Sequence, residues 1–246
     1  MQVFPLANVL VKTDDFAAGY PELYYRAEDA AYDEGAQALA FSGDVNFSTY
    51  FNALPLRKWK RYTRIGVVRL VIEVAGDPCG VLFCELHEGS AQPIVHEASL
   101  VVTERGGDFL RYEVELPESD AVLVSFLLRS QGRSLVRSAK YVTMVDASAV
   151  RIVRLALSTT TFRKEDFIVP NIKAVKREVL SCDEPIAGGF HMYVVDNGRT
   201  LDAESLSSEG VTVVPNANVG GAGGFARGMM AALEDDATHV LLMDDD

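Results

Sequence analysis

The chain has 246 residues, with 23 Lys and Arg against 35 Asp and Glu, and a formal net charge of −12 at pH 7. Its 48% hydrophobic and 24% charged content supplies a core and excludes global disorder, and the length suits one large domain or two small ones. A charge of this sign repels phosphate backbones and anionic headgroups, which argues against nucleic acid or a bare membrane surface as a non-specific partner.

Cys79, Cys84 and Cys182 form no CxxC pair and, with four histidines in the chain, give no zinc spacing. So sparse a set fits a reducing cytoplasm. Met1-Gln2-Val3-Phe4-Pro5 lacks the basic start of a signal peptide, and no apolar run approaches the ~20 residues of a membrane span. A soluble, cytoplasmic chain is expected.

Residues 1–44 are acidic and Ala-rich, with Phe16, Tyr20, Tyr24, Tyr25 and Tyr32 at no clear period. They read as extended segments packed on the strands C-terminal to them. From about Asp44 to Met144 the pattern predicts strands over residues 67–74, 80–86, 94–103, 109–116, 121–129 and 134–144. Turn signals separate them at Gly76-Asp77-Pro78, Gly89-Ser90, Gly106-Gly107-Asp108 and Gln131-Gly132. Short strands without an intervening helix predict an antiparallel β-sandwich or barrel. The run Arg57-Lys58-Trp59-Lys60-Arg61-Tyr62-Thr63-Arg64 reads as a solvated strand face paired with the acidic N-terminal segment. Guidance of a glycan, a phosphorylated acceptor or a membrane surface is its alternative reading.

After about Asp146 strands and helices alternate. A strand over 150–158 precedes a helix with Ile168, Ile172, Val175 and Val179 at helical spacing, Pro170 either in or near its first turn or kinking it. Strands over 190–195, 211–214 and 239–243 come next, with a helix from about Gly224 to Glu234 before the last. This is the grammar of a mostly parallel sheet with crossover helices. The fold class is therefore a two-part α+β chain: a β-sandwich or barrel over 1–148, then an α/β unit over 149–246. The second part ends directly after a strand and is expected to be cut short.

Four constellations carry chemistry. The strand His239–Met243 runs into Asp244-Asp245-Asp246, which places carboxylates at the carboxyl edge of a parallel sheet, where open α/β folds bind ligands. Alternation sends Asp244 and Asp246 to one side, and two hard oxygen donors suit Mg²⁺ or Mn²⁺; a solvated acidic tail is the plainer reading. Second, Asn216-Ala217-Asn218-Val219-Gly220-Gly221-Ala222-Gly223-Gly224-Phe225-Ala226 is read as a glycine-rich loop that opens a helix start to phosphate or sugar hydroxyls, or merely as a flexible loop with close packing. Residues 221–226 also match GxGxxA, a dinucleotide fingerprint. Third, Asp196 in Val195-Asp196-Asn197-Gly198 either accepts from a base or ribose or caps an Asn-Gly turn. Fourth, Ser158–Lys164 offers hydroxyls and two cations to a nucleotide, or a capped helix start. His87, His96, His191 and His239 read as structural.

In order, Thr161-Phe162-Arg163-Lys164, Val195-Asp196-Asn197-Gly198, Asn216–Phe225 and Leu242-Met243-Asp244-Asp245-Asp246 resemble the nucleotide half of family 2, GT-A-type glycosyltransferases. Within that group the likeness is to galactofuranosyltransferases that polymerise mycobacterial galactan, whose N-terminal β-domain residues 47–55 with Trp59 also resemble. The resemblance implies a UDP-galactofuranose donor, a divalent cation (Mn²⁺ or Mg²⁺) on its diphosphate, a glycan or lipid-linked glycan acceptor, homo-oligomers, and a peripheral place at the inner face of a membrane. It maps Asp244 and Asp246 onto the DxD metal motif, Asp245 beside the donor sugar, Asp196 on uracil, and Asn218 with Gly220 and Gly221 on the donor-contacting loop. Thr161, Arg163 and Lys164 fall on the family's Thr-Phe-x-Arg segment, with the arginine one place early. The family's general base and a further metal-binding histidine lie beyond the DxD strand, so no catalytic residue is assigned and the chain is expected to be truncated and inactive. A nicotinamide-dependent oxidoreductase and a carbohydrate-binding or assembly module are the competing readings.

Overall fold

The computed structural model describes residues 1–13 and 19–246; Phe16 lies outside the described residues. The chain divides into two compact units, Met1–Val150 and Arg151–Asp246. No helix is long and apolar enough to cross a membrane among the described residues.

The first unit contains β1 (Gln2–Val9), β2 (Arg26–Asp33), β3 (Ala38–Asn46), α1 (Leu56–Tyr62), β4 (Val68–Ala75), β5 (Pro78–Leu86), β6 (Ile94–Ala98), β7 (Val101–Gly106), β8 (Phe109–Glu115) and β9 (Leu123–Val145). All its strand pairs are antiparallel, and β9 pairs with β1, β3, β4 and β5. The sheet wraps a core that includes Phe41, Phe47, Phe83, Phe126, Leu128 and Tyr141. This agrees with the β-sandwich expected from the strand spacing.

Three expectations are corrected here. The two strands predicted over 121–129 and 134–144 are one 23-residue strand. Gln131-Gly132 is not a turn but the point where β9 leaves β5 and takes up β4. The junction holds because Ser130 Oγ donates to Asp77 O at 2.8 Å, Asp77 N–H donates to Ser134 Oγ at 3.1 Å, and the two hydroxyls meet at 2.7 Å. Gly76 there has φ +100°, and a Cβ would stand 2.5 Å from Arg133 O, so only glycine fits the bend. The predicted strand over 94–103 is split into β6 and β7. The basic run 57–64 is helix α1 with the two residues after it, not a strand. Its Arg57 pairs with Glu88 at 2.8 Å and its Lys60 donates to Ser119 O at 2.6 Å, neither of them in the acidic N-terminal segment.

The second unit contains β10 (Leu155–Thr161), α2 (Glu165–Ala174) passing into a π-helical turn (Val175–Leu180), β11 (Phe190–Asp196), α3 (Ala203–Leu206), β12 (Val211–Pro215), α4 (Gly220–Glu234) and β13 (His239–Met243). The sheet order is β12-β11-β10-β13, all parallel. Leu157, Met192, Val194, Val211 and Val213 pack against Ile168 and Ile172 of α2 on one face, and Ala156 and Tyr193 against Ala231 and Ala232 of α4 on the other. Pro170 stands in the interior of α2 rather than in its first turn, and the helix turns π-helical five residues later. The first strand begins at Leu155, later than expected, and takes Thr159, Thr160 and Thr161 into the sheet.

Candidate functional site

The chain steps from β10 outward to β11 and β12, then returns to the other side of β10 for β13. The carboxyl ends of β10 and β13 therefore flank a topological switch point, the place where open parallel sheets form a ligand crevice. A shallow cleft of about 350 Å³ lies there, lined by Thr160, Thr161, Phe162, Lys164, Asn197, Asn218, Gly220, Gly221 and Asp245. Six of the residues singled out from sequence meet on its wall: Thr161, Lys164, Asn218, Gly220, Gly221 and Asp245.

The glycine-rich segment is mostly helix. α4 begins at Gly220, four residues earlier than predicted. Its glycines have two different jobs. Gly220 (φ +75°) and Gly221 face open space, so backbone can be approached there. At Gly224 a Cβ would lie 2.3 Å from Thr160 Cγ2, and at Gly228 it would lie 2.0 Å from Ser158 Oγ, so these two let α4 press onto β10. Val219, the residue before the helix, supplies no side-chain cap. The positive end of a 15-residue helix thus opens beside the cleft without a competing carboxylate in its first turn. Asn218 Oδ1 accepts from Gly220 N–H at 3.1 Å, and Asn197 Nδ2 donates to Gly220 O at 3.1 Å, which ties the helix start to the ends of the strands.

Two observations mark the cleft as more than a gap between loops. Thr161 is 2% exposed, and its Oγ1, like that of Thr160, is buried without a hydrogen-bond partner. Buried hydroxyls in native proteins are nearly always satisfied, and the unpartnered row runs back along β10 through Thr159 and Ser158, so it marks the strand as a whole, with the cleft at its carboxyl end. Lys164 Nζ sits 2.5 Å from Asp246 Oδ2 and 3.4 Å from Asp245 Oδ1. That ion pair holds the Asp246 carboxyl below its ordinary value and raises Lys164, in each case chiefly through their mutual hydrogen bond.

The carboxylate triplet alternates as expected: Asp245 is buried and Asp244 and Asp246 are exposed. Two exposed hard-oxygen donors on one strand end fit Mg²⁺ or Mn²⁺, which keep waters and phosphate oxygens as their remaining ligands. Among the described residues, no group of three or more His, Cys, Asp or Glu side chains is arranged as a metal cage. Lys164 supplies the positive charge at Asp246.

Four predicted residues are not on the lining: Asp244 and Asp246, exposed beyond Asp245, and Asp196 and Arg163, which are held by other partners. Asp196 is fully buried, and its carboxylate accepts from Gly198 N–H at 2.9 Å and from Thr200 and Leu201 N–H at 2.8 Å each. It organises the turn, and its neighbour Asn197 takes the place on the wall. Arg163 adopts φ +55° and lies with its guanidinium 5.1 Å from the Phe162 ring, leaving Lys164 as the cation on the wall. Asn197 and Thr160 belong to segments singled out from sequence but were not chosen within them; the signal was their place at the ends of two adjacent parallel strands. The GxGxxA match lies inside α4, after edge strand β12, whereas the dinucleotide fingerprint needs its glycines in the turn after the first, central strand.

Residues 24–144 match the family described as galactofuranosyltransferase 2 N-terminal. Across both units the chain is similar to galactofuranosyltransferase GlfT2 of Mycolicibacterium smegmatis, 27% identical over 213 residues, 82% of this chain and 32% of that protein. It is similar to the GlfT2 of Mycobacterium tuberculosis to the same degree, 27% over 219 residues, 85% of this chain and 33% of that one. These matches make the chain similar to the N-terminal region of galactofuranosyltransferases. It spans about a third of the length of the curated relatives it matches. Among solved structures, the CBM22-1–GH10 modules of Clostridium thermocellum xylanase 10B are similar at a TM-score of 0.33 and 8% identity, over 78% of this chain and 38% of that one. That likeness carries no argument.

Proposed function

We propose that residues 151–246 are the donor-binding part of a GT-A-type glycosyltransferase that takes UDP-galactofuranose, with Mn²⁺ or Mg²⁺, for transfer to a glycan or lipid-linked glycan. The observation that carries this reading is the convergence of Thr161, Lys164, Asn218, Gly220, Gly221 and Asp245 on one switch-point cleft. The similarity to two galactofuranosyltransferases over both units supports the choice of sugar nucleotide.

In this reading each wall of the cleft has its own task. The start of α4, open at Gly221 and with the Gly220 N–H already held by Asn218, presents its next backbone N–H groups and a partial positive charge to a diphosphate. Asn197, Asn218 and the Thr160 and Thr161 hydroxyls fix the nucleoside end by hydrogen bonds. Asp244 and Asp246 would hold the cation, which would supply positive charge to the diphosphate as leaving group. Lys164, paired with Asp246 in the structure, would be released to phosphate once a cation takes that carboxylate, and buried Asp245 would lie beside the sugar. In this reading these groups bind and orient, and no catalytic base is assigned.

Calorimetric titration of the chain with UDP, with and without Mn²⁺, and with NAD⁺ tests the proposal. UDP binding that depends on Mn²⁺ and weakens in Asp246→Asn is expected, with no heat from NAD⁺. Binding of NAD⁺ in place of UDP, or UDP binding indifferent to both metal and Asp246, overturns it.

A further inference from the structure

Within the first unit, a second polar cluster gathers where β5 ends. Glu85 is 4% exposed, yet one of its oxygens takes every contact. Oε2 accepts from Ser119 Oγ–H at 2.8 Å and faces His87 Nε2 at 3.2 Å and His96 Nε2 at 3.6 Å. Oε1 is buried with no partner. On the far side of His87, Asp120 Oδ1 stands 3.3 Å from Nδ1. Either nitrogen of His87 can carry the proton, so Nε2 and Glu85 Oε2 are a hydrogen-bonded pair in one tautomer and two facing acceptors, open to a cation, in the other.

The setting supplies the charge to attract one. Glu85, His87 and His96 line a cavity of about 390 Å³ together with Lys60, Ile94, Glu118, Ser119 and Asp120. With neutral imidazoles the three carboxylates exceed the single ammonium by two negative charges. Lys60 Nζ is turned to Ser119 O at 2.6 Å. The spacing fits as well: bonds of ~2.0 Å from zinc to nitrogen and oxygen give a tetrahedral edge of about 3.3 Å, close to the two separations at Glu85.

We propose that Glu85, His87 and His96 form a binding site for a divalent transition-metal ion, zinc by its donor set, with Asp120 orienting His87 from behind. Among the described residues no group of three or more His, Cys, Asp or Glu side chains is placed to hold a metal ion as it stands, so binding requires a side chain to turn. His96, on β6 and 43% exposed, is the ligand that closes the site by turning inward. The remaining coordination position faces the cavity, open to water.

Zinc titration of the full chain by calorimetry near neutral pH tests this, in an Asp244→Asn/Asp246→Asn background that removes the exposed carboxylates of the other unit. One zinc ion per chain is expected. His96→Ala and His87→Ala should each abolish binding or weaken it at least tenfold, and Asp120→Asn should weaken it about tenfold. Cobalt in place of zinc should give a tetrahedral visible absorption that His96→Ala removes. His96 is a surface residue, so its variant keeps the fold, as unchanged Trp59 fluorescence would verify. No zinc uptake, or equal uptake in both histidine variants, refutes the site and leaves the histidines as proton acceptors only.

Discussion

The contact between α4 and β10 makes a quantitative prediction. In Gly228→Ala the new methyl would stand 2.0 Å from Ser158 Oγ, 3.0 Å from Ser158 Cβ and 3.3 Å from Val195 Cγ2. The closest approach is about 1.5 Å short of an ordinary ~3.5 Å contact. Overpacking of this kind costs up to about 3 kcal/mol, while alanine returns about 1 kcal/mol of helix propensity. The net is a loss of about 2 kcal/mol, or about 30-fold in the local opening equilibrium. Ser158 Oγ is buried without a partner, so Ser158→Ala alone should be neutral or slightly stabilising. Combined with Gly228→Ala it removes the clashing atom and should restore most of the loss. Trp59, the sole tryptophan, lies in the other unit, so the readout is hydrogen exchange of the α4 and β10 amides. Full protection in Gly228→Ala, or a double variant no better protected than the single, would refute this account of the helix–sheet contact.

Individual contacts set further outcomes. Asn52, 2% exposed, accepts from Leu10 N–H at 2.7 Å and donates to Leu10 O at 2.9 Å and Tyr24 O at 2.6 Å. Asn52→Ala should therefore lower the stability of the first unit by about 2 kcal/mol, read as a shift in the urea midpoint of Trp59 fluorescence; an unchanged midpoint would count against the contact. Lys164→Met should move two affinities in opposite directions, tightening Mn²⁺ by removing a competing cation and weakening UDP by removing a phosphate partner. Calorimetry that shows both rising or both falling contradicts the roles given to Lys164. For pH, the sign is fixed by both partners. Asp246 is depressed below its ordinary 3.8, so the ion pair's contribution is present above that value and lost as pH falls through the lowered one. Lys164 is raised above 10.5, so the contribution persists until pH rises beyond that. Ion-pair geometry tracked by NMR should accordingly be constant across the neutral range.

The β-rich half was legible because its strands are β-branched runs between turn residues, and burial tracks those runs in β4, β5 and β9, though not in the exposed β6 and β7. What escaped was continuity. Ser130, Gln131, Gly132 and Arg133 carry turn chemistry in isolation, yet the hydroxyls of Ser130 and Ser134 are spent on the backbone of Asp77 across the bend. That non-local pairing is invisible to a reading of neighbours. α1 escaped for a related reason: Leu56 and Trp59 pack inward while its cations face solvent, a pattern only two turns long and too short to register as a period.

At the candidate site the sequence identified the segments and the structure chose within them. A strand that ends in a turn offers two successive residues to the crevice, and backbone demand decides between them. At β11 three N–H groups of the turn claim the Asp196 carboxylate, which draws it fully inside and leaves Asn197 outward. At β10 the positive φ of Arg163 directs the next residue, Lys164, to the wall. The glycines divide by the same logic, since those facing β10 are needed for packing and those at the start of α4 are needed for access. A motif of this kind therefore carries two sets of constraints in alternate positions. Substitutions at Gly224 and Gly228 should report on stability, whereas those at Gly221 and Asn218 should report on ligand affinity.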